Sequence, residues 1–310
     1  MISESLKEWN GTPIKLYKSS EALECPDVIY KIAYSWDNES AGGFQELFPQ
    51  YLADEKSKES VGLSLGLDGD MADGFYTDTV QTLLKHKDQF PKLKWLFLGD
   101  MVGEECELTW IEQGDVGAPV IDSFPQLEVL YARGGEGSME FSKASHPKLK
   151  KLVLQPGAMT KEMLDGLLAS EFPELEELEL WLGDDERGGD LTTDDVRELL
   201  MGNPFPKLKK LGLMNSGIVN EIAKDIGSSA IIDQIEELDL SMGTLQDDGA
   251  LALLASDKVK SLKSLNLRHH YISSPIMDQF KDLSVSVDVS EQQSPDDWDG
   301  ELHYYIAISE

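Results

Sequence analysis

One phrase recurs along this chain and limits what it can fold into: Leu-x-x-Leu-x-Leu, usually preceded by a proline. It reads FPKLKWLFL at 90–98, FPQLEVLYA at 124–132, HPKLKKLVL at 146–154, FPELEELEL at 172–180 and FPKLKKLGL at 205–213. Copies without the proline follow, IEELDL at 235–240 and LKSLNL at 262–267. Their first apolar anchors are Leu93, Leu127, Leu149, Leu175, Leu208, Ile235 and Leu262, spaced 34, 22, 26, 33, 27 and 27 residues apart. The mean of about 28 lies inside the period of roughly 20–29 residues that leucine-rich repeats show. The two longer spacings require insertions.

In Leu-x-Leu both leucines point to the same face of a short strand, because side chains alternate with period two. The leucine before them anchors the turn into the strand, and proline fits an entrance where no ladder donor is needed. One such unit is too small to bury its own leucines. Stacked units bury them in one continuous core. In the last three units the strand is followed by a polar or small residue and then an apolar one. These slots read Leu213, Ser216 and Ile218; Leu240, Gly243 and Leu245; Leu267, His270 and Ile272. Ser, Gly and His stand where the repeat consensus has Asn or Cys.

The segments between strands carry helix signals. Thr160 is placed to cap KEMLDGLLAS, whose Met163, Leu164, Leu167 and Leu168 share a face. Thr192 with Asp195 makes a capping box ahead of DDVRELL. Residues 218–226 and 248–254 have similar apolar spacing, and Ser274 followed by Pro275 reads as an N-cap and first turn. A strand and a helix in every unit define an α/β solenoid, a horseshoe with parallel strands on the concave face and helices on the convex face. Residues 1–60 are expected to form an N-terminal cap, 61–290 the repeats with an insertion near 99–123, and 291–310 a C-terminal cap. In the N-terminal part, 28–33 and 61–65 read as strands, and 44–52 and 77–87 as helices. At the other end 284–289 reads as a strand, 294–301 as an acidic loop and 304–308 as a closing strand.

Asp plus Glu number 58 against 27 Lys plus Arg, for a net charge of −31. Nucleic acid is excluded as a partner, since its binding draws on cations that neutralise phosphates. The same field speeds encounter with a basic protein. No run is long enough to span a membrane, no basic-then-apolar leader opens the chain, and Cys25 and Cys106 lie outside any CxxC motif. The expected compartment is a reducing cytoplasm. The sequence leaves open whether the two cysteines pair.

Several segments together resemble a known family: LWLGDD at 180–185, LGLMNSGI at 211–218, LDLSMGTLQDDGA at 238–250, LNLRHHYIS at 265–273, VDVSEQQ at 287–293, YIAISE at 305–310 and CELTWIEQGD at 106–115. The chain is similar over nearly its whole length to a family of bacterial cytoplasmic leucine-rich-repeat proteins. That resemblance implies the ribonuclease-inhibitor-like horseshoe and the compartment, and carries no activity with it.

Strand residues between the leucines face the concave side. Trp95, Phe97, Tyr131 and Trp181 are expected to form an exposed anchor patch for a protein partner, flanked by Arg133, Lys151, Glu177, Glu179, Asp239 and Arg268. The competing expectation is that the N-terminal cap or the insertion covers the aromatics. The insertion holds Asp100, Glu104, Glu105, Glu107, Trp110, Gln113 and Asp115, without the spacing of a calcium loop. A second acidic loop, 183–189, leaves the same ends of the strands and is expected to share one rim with it. His270 occupies a turn slot, where satisfying backbone groups is expected rather than metal or base chemistry, and His269 has no ligand-spaced partner. RGGEG at 133–137 lacks the Lys-Ser/Thr of a phosphate loop, and no GxSxG occurs. No catalytic residue, cofactor or metal is assigned. The expected function is a non-catalytic protein-interaction scaffold with a basic partner favoured. The alternatives are an enzyme or enzyme subunit using the insertion's carboxylates, and an acidic nucleic-acid mimic that blocks a basic protein.

Overall fold

The computed structural model describes residues 5–35, 42–69, 78–135 and 139–308. Strands β1 (Glu8–Trp9), β2 (Thr12–Leu16) and β3 (Ile29–Ile32) precede helix α1 (Phe44–Ala53). Strands and helices then alternate: β4 (Gly62–Leu65), α2 (Thr79–Lys85), β5 (Trp95–Leu98), β6 (Gly114–Asp115) and α3 (Ala118–Ile121). Next come β7 (Val129–Gly134), β8 (Met139–Glu140), β9 (Lys151–Pro156), α4 (Lys161–Leu168), β10 (Glu177–Gly183) and α5 (Thr193–Met201). The series closes with β11 (Lys210–Ser216), α6 (Val219–Ile226), β12 (Glu237–Asp239), α7 (Asp247–Ala255), β13 (Ser264–Asn266), α8 (Ser274–Phe280) and β14 (Ser286–Asp288). A hairpin, β15 (Asp296–Trp298) with β16 (Glu301–His303), follows.

Among the described residues one twelve-stranded sheet runs β1-β2-β3-β4-β5-β7-β9-β10-β11-β12-β13-β14. Its neighbours are parallel except for the first pair. The architecture is an α/β leucine-rich-repeat solenoid. Parallel order already includes β2 and β3, so the ladder reaches into the segment expected to be a cap. Short β6 and β8 pair with each other outside it.

Register explains the repeat. Tyr30, Leu63, Leu96, Leu130, Leu152, Leu178, Leu211, Leu238, Leu265 and Val287 lie side by side across successive strands. A second row runs Ile32, Leu65, Leu98, Ala132, Leu154, Leu180 and Leu213. All but Val287 at the end are buried, within one continuous apolar core. Burying one such leucine contributes about 1.5–3 kcal/mol, and each is covered by its neighbours in adjacent coils. A third row sits three residues before each anchor: Phe90, Phe124, His146, Phe172, Phe205, Ile232 and Val259, all buried. His146 fills an aromatic slot by bonding: its Nε2 meets the Phe124 carbonyl at 3.1 Å and its Nδ1 accepts from Lys148 N at 3.2 Å.

At the strand entrances one position alternates in charge from coil to coil: Lys94, Glu128, Lys150, Glu176, Lys209, Glu236 and Lys263. Each donates its backbone N–H to the carbonyl of its predecessor, except Lys94, which reaches Val61. Their side chains pair along the stack, Lys150 with Glu128 at 2.7 Å and Lys209 with Glu176 at 2.8 Å.

The caps of α4 and α5 form as their sequences imply. Thr160 accepts from Met163 N, and Thr192 with Asp195 makes the reciprocal box. At α8 the cap shifts by one: Ser273 precedes the helix and Ser274 opens it, and the Ser273 N–H donates to Asp247 Oδ1 at 2.6 Å. The helix expected over 77–87 forms as Thr79–Lys85, with residue 77 outside the described residues. The chain end departs from expectation. The acidic stretch forms the hairpin β15–β16, and 304–308 is not a sheet strand; it crosses the rim of the horseshoe.

Leu211→Ala, between Leu178 and Leu238, is expected to cost about 2–5 kcal/mol in urea unfolding, since a cavity opens that three coils share. Burial works against the Glu128 charge, but Lys150 and Lys94 outweigh it and hold the carboxyl below its ordinary range. That stabilisation is full above the unfolded value of about 4.3 and is lost as pH falls through the lower folded value. Glu128→Gln is expected to weaken the fall of stability in acid, at a neutral-pH cost below about 1 kcal/mol.

Candidate functional site: a concave face in two halves

Alternation along the strands places Trp95 and Phe97 of β5, Tyr131 and Arg133 of β7, and Lys151 of β9 on the concave side. It places Glu177, Glu179 and Trp181 of β10 and Asp239 of β12 there too. Their exposure differs sharply from one end to the other.

The N-terminal half is sealed. Trp95 and Phe97 are 0% and 2% exposed, packed with Ile29 and Val129 and covered by Trp9 and Ile14 of the β1–β2 hairpin. Gly62 in β4 makes room: a Cβ there would sit 2.8 Å from Ile29 and 3.3 Å from the Trp95 ring. The rings of Phe97 and Tyr131 lie 5.3 Å apart, Arg133 sits over Phe97 at 5.2 Å, and Lys151 over Tyr131 at 5.3 Å. The expectation of an exposed aromatic patch is therefore corrected. Trp95, Phe97, Trp181 and Arg133 are buried, and Tyr131 is half-buried.

The insertion supplies the second cover. Met101, Cys106, Leu108 and Ile111 pack with Tyr34, Leu67, Trp181 and Ile308 in a separate apolar cluster. Arg133 donates through Nη1 to the Met101 carbonyl and through Nε to Gln155 Oε1 at 3.0 Å. Gln155 donates onward to Glu179 Oε1 at 2.9 Å, where the Trp181 indole N–H also arrives at 3.2 Å. Burial brings the Arg133 pKa down to about 10, so the guanidinium stays charged at neutral pH. The insertion is not a bare loop, since β6 and α3 lie within it. Several of its carboxylates are committed to local contacts. Asp100 accepts from the Ser64 hydroxyl and lies 3.7 Å from Lys31. Glu105 meets Lys31 and the Val102 N–H, and Asp115 takes the N–H groups of Gly117 and Ser142. Glu104, Glu107 and Trp110 are exposed. Among the described residues no three His, Cys, Asp or Glu side chains are placed to hold a metal.

The C-terminal half is open. Lys151, Glu177, Glu179, Lys210, Glu237 and Asp239 line a trough of about 290 Å³. Its floor is Gly212, the strand residue between Glu179 and Asp239 in register. Lys151 pairs with Glu177 at 3.0 Å, and Lys210 with Glu237 at 3.2 Å. Burial works against the Lys151 charge, but Tyr131 and Glu177 outweigh it and hold the ammonium above its usual range. Glu179 and Asp239 form no ion pair among the described residues. Burial raises the Glu179 carboxyl, and the nearby Asp239 charge adds to the rise. Asp239 is held by Asn266 Nδ2 at 2.7 Å and the Ser241 N–H at 2.9 Å. Arg268 lies at the outer edge, exposed and paired with Glu291. The residue that sequence reasoning missed is Gly212; its signal was a glycine inside a strand, which marks a place where something approaches closely.

His270 fills the turn role. Its Nε2 meets the Val289 carbonyl at 3.0 Å, its Nδ1 accepts from Ile272 N at 3.0 Å, and burial lowers its pKa. Part of RGGEG, residues 136 and 137, lies outside the described residues. No helix among the described residues is long and apolar enough to cross a membrane.

No protein-family model and no curated protein matches this chain. The crystal structure of a Bacteroides fragilis protein matches with 30% identity and a TM-score of 0.78, over 90% of this chain and 77% of that one. An internalin from Listeria monocytogenes aligns over 77% of this chain and 64% of its own, at 16% identity and a TM-score of 0.36. A leucine-rich-repeat protein of Leptospira interrogans aligns over 76% and 73%, at 15% identity and a TM-score of 0.22.

Cys25 and Cys106 are free and buried. Burial pushes the Cys106 thiol up to about 11, with the charges of Glu107 and Glu105 adding to it. Both thiols are expected to resist an aromatic disulfide reagent at neutral pH until the chain is unfolded. Prompt modification of the native protein would contradict this packing.

Proposed function

This chain belongs to the bacterial leucine-rich-repeat family of the Bacteroides fragilis protein, and we propose that it is a non-catalytic scaffold that binds another protein along the open half of its concave face. The observation that carries this reading is the uncovered trough over Gly212, walled by side chains that parallel strands hold in fixed register. Adjacent strands stand about 4.8 Å apart, so each wall residue is set against its neighbour before any partner arrives.

The trough favours a cation. Glu179 and Asp239 flank its floor, and their mutual repulsion is relieved when a lysine or arginine of the partner enters between them. The net charge of −31 acts at longer range in the same direction, drawing a basic surface in. The outer row of the trough, Lys151, Glu177, Lys210 and Glu237, alternates in charge, whereas a nucleic-acid mimic needs evenly spread acid. The two buried free thiols support a reducing compartment, the cytoplasm.

Gly212→Leu tests the reading. A Cβ at this position meets Glu179 Cγ at 3.3 Å and Met214 Sδ at 3.4 Å, so the larger side chain projects into the trough. Affinity capture from the native host, followed by mass spectrometry, is expected to yield a basic protein with the unaltered chain as bait. That protein should be missing when the bait is Gly212→Leu or Glu179→Gln/Asp239→Asn with native circular dichroism. Raising salt from about 0.1 to 1 M, which shortens the screening length from about 10 to 3 Å, should release it. Capture that survives both substitutions and high salt would refute the assignment.

A further inference from the structure

The trough leaves one feature unused: the way residues 305–308 are held. In three successive coils a residue near the strand end lies in the left-handed region, Asn215 inside the end of β11 at φ +50°, and Met242 and His269 just past β12 and β13 at +69° and +58°. They recur every 27 residues, at the same place in each coil. Glycine adopts this conformation freely, whereas a methionine or histidine there is strained, and such strain concentrates where backbone groups must be aimed. The N–H of each is spent on the next coil: Asn215 to Ser241 O, Met242 to Arg268 O, His269 to Ser290 O.

The groups left over grip the C-terminal segment. His269 Nε2 and the Tyr271 hydroxyl meet the Tyr305 carbonyl at 3.3 and 3.0 Å, and the Tyr305 N–H donates to the same hydroxyl at 2.9 Å. The Met242 carbonyl accepts from Ala307 N at 2.9 Å. Asn215, fully buried, pairs its amide with the backbone of Ile308, donating to O at 2.7 Å and accepting from N at 2.9 Å. Ile306 and Ile308 are buried, while Tyr305 and Ala307 between and beside them are not. Ile308 enters the apolar cluster of Trp181, Cys106, Leu108 and Ile111. One coil after another thus holds one stretch of backbone, which bends at Ala307, and alternate side chains go into the protein. Peptide-binding grooves use the same division of labour: main-chain bonds supply affinity and alternate pockets supply selectivity.

We propose that the rim of Asn215, Met242 and His269 is a binding site for a non-helical peptide segment with aliphatic residues at alternating positions, filled in cis by residues 305–308. The tethered segment competes with any free segment at an effective concentration of order millimolar, so the rim opens to a partner only when the tail leaves. The site is distinct from the trough over Gly212 and does not depend on it.

The test uses the full chain and a fluorescent, end-capped peptide copying residues 303–310. Ile308→Asp places a carboxylate in the apolar cluster, and Ile308→Ala removes the side chain without burying a charge. Both are expected to speed hydrogen exchange over 304–308 and to bind the peptide at least about tenfold more tightly than the unaltered chain, because the competitor has gone. Adding Asn215→Ala, or placing Ile308→Asp in the peptide, is expected to abolish that gain. Two results would overturn the proposal: a tail freed in either folded variant with no gain in peptide binding, or a tail that keeps its protection in both.

Discussion

Each leucine of the repeat is buried by leucines of the coils on either side, and the rest of the molecule depends on that sharing. Leu178, Leu211 and Leu238 illustrate it: they stand in register on three consecutive strands, and none is covered without the others. A coil taken alone would expose most of what it contributes to the core. The sheet is therefore rigid along its length. Side chains on its other face inherit a fixed spacing that no loop could give them.

That inherited spacing is used in two ways. Near the N-terminus the concave side chains are aromatic and covered, by Trp9 and Ile14 from one direction and by the insertion from another. Toward the C-terminus they are charged and uncovered, around a glycine floor. The chain Arg133, Gln155, Glu179 and Trp181 joins the halves through hydrogen bonds. The buried aromatics act as an internal wall, while recognition chemistry is concentrated where the cover stops. Lysine and glutamate alternating at the strand entrances add a second constraint, since each coil meets opposite charge on its neighbours.

Much of the fold was legible because it is local and periodic. Leu-x-Leu fixes strand and face, and Thr160, Thr192 and Asp195 mark helix starts through contacts within four residues. Period two also put Trp95, Phe97 and Trp181 on the correct face. It did not say what lies above them, because the covers are Trp9 and Ile14, some 80 residues away in sequence, and an insertion outside the repeat. The phenylalanine row was written in the sequence three residues before each anchor, but only the stack shows it as one row. The pairing of Asn215 with Ile308 spans 93 residues and involves backbone atoms, so no side-chain pattern encodes it. A short apolar run such as 304–308 has the alternation of a strand whether it joins a sheet or binds to a rim.

Residue-resolved oxidation by hydroxyl radicals tests this division of the concave face most directly. In the intact protein Trp95, Phe97 and Trp181 are expected to be modified far more slowly than Trp110 and Trp298, which are 40% and 62% exposed. Oxidation of Trp95 and Trp181 as fast as that of Trp298 would show the aromatics to be uncovered, and would contradict the sealed wall.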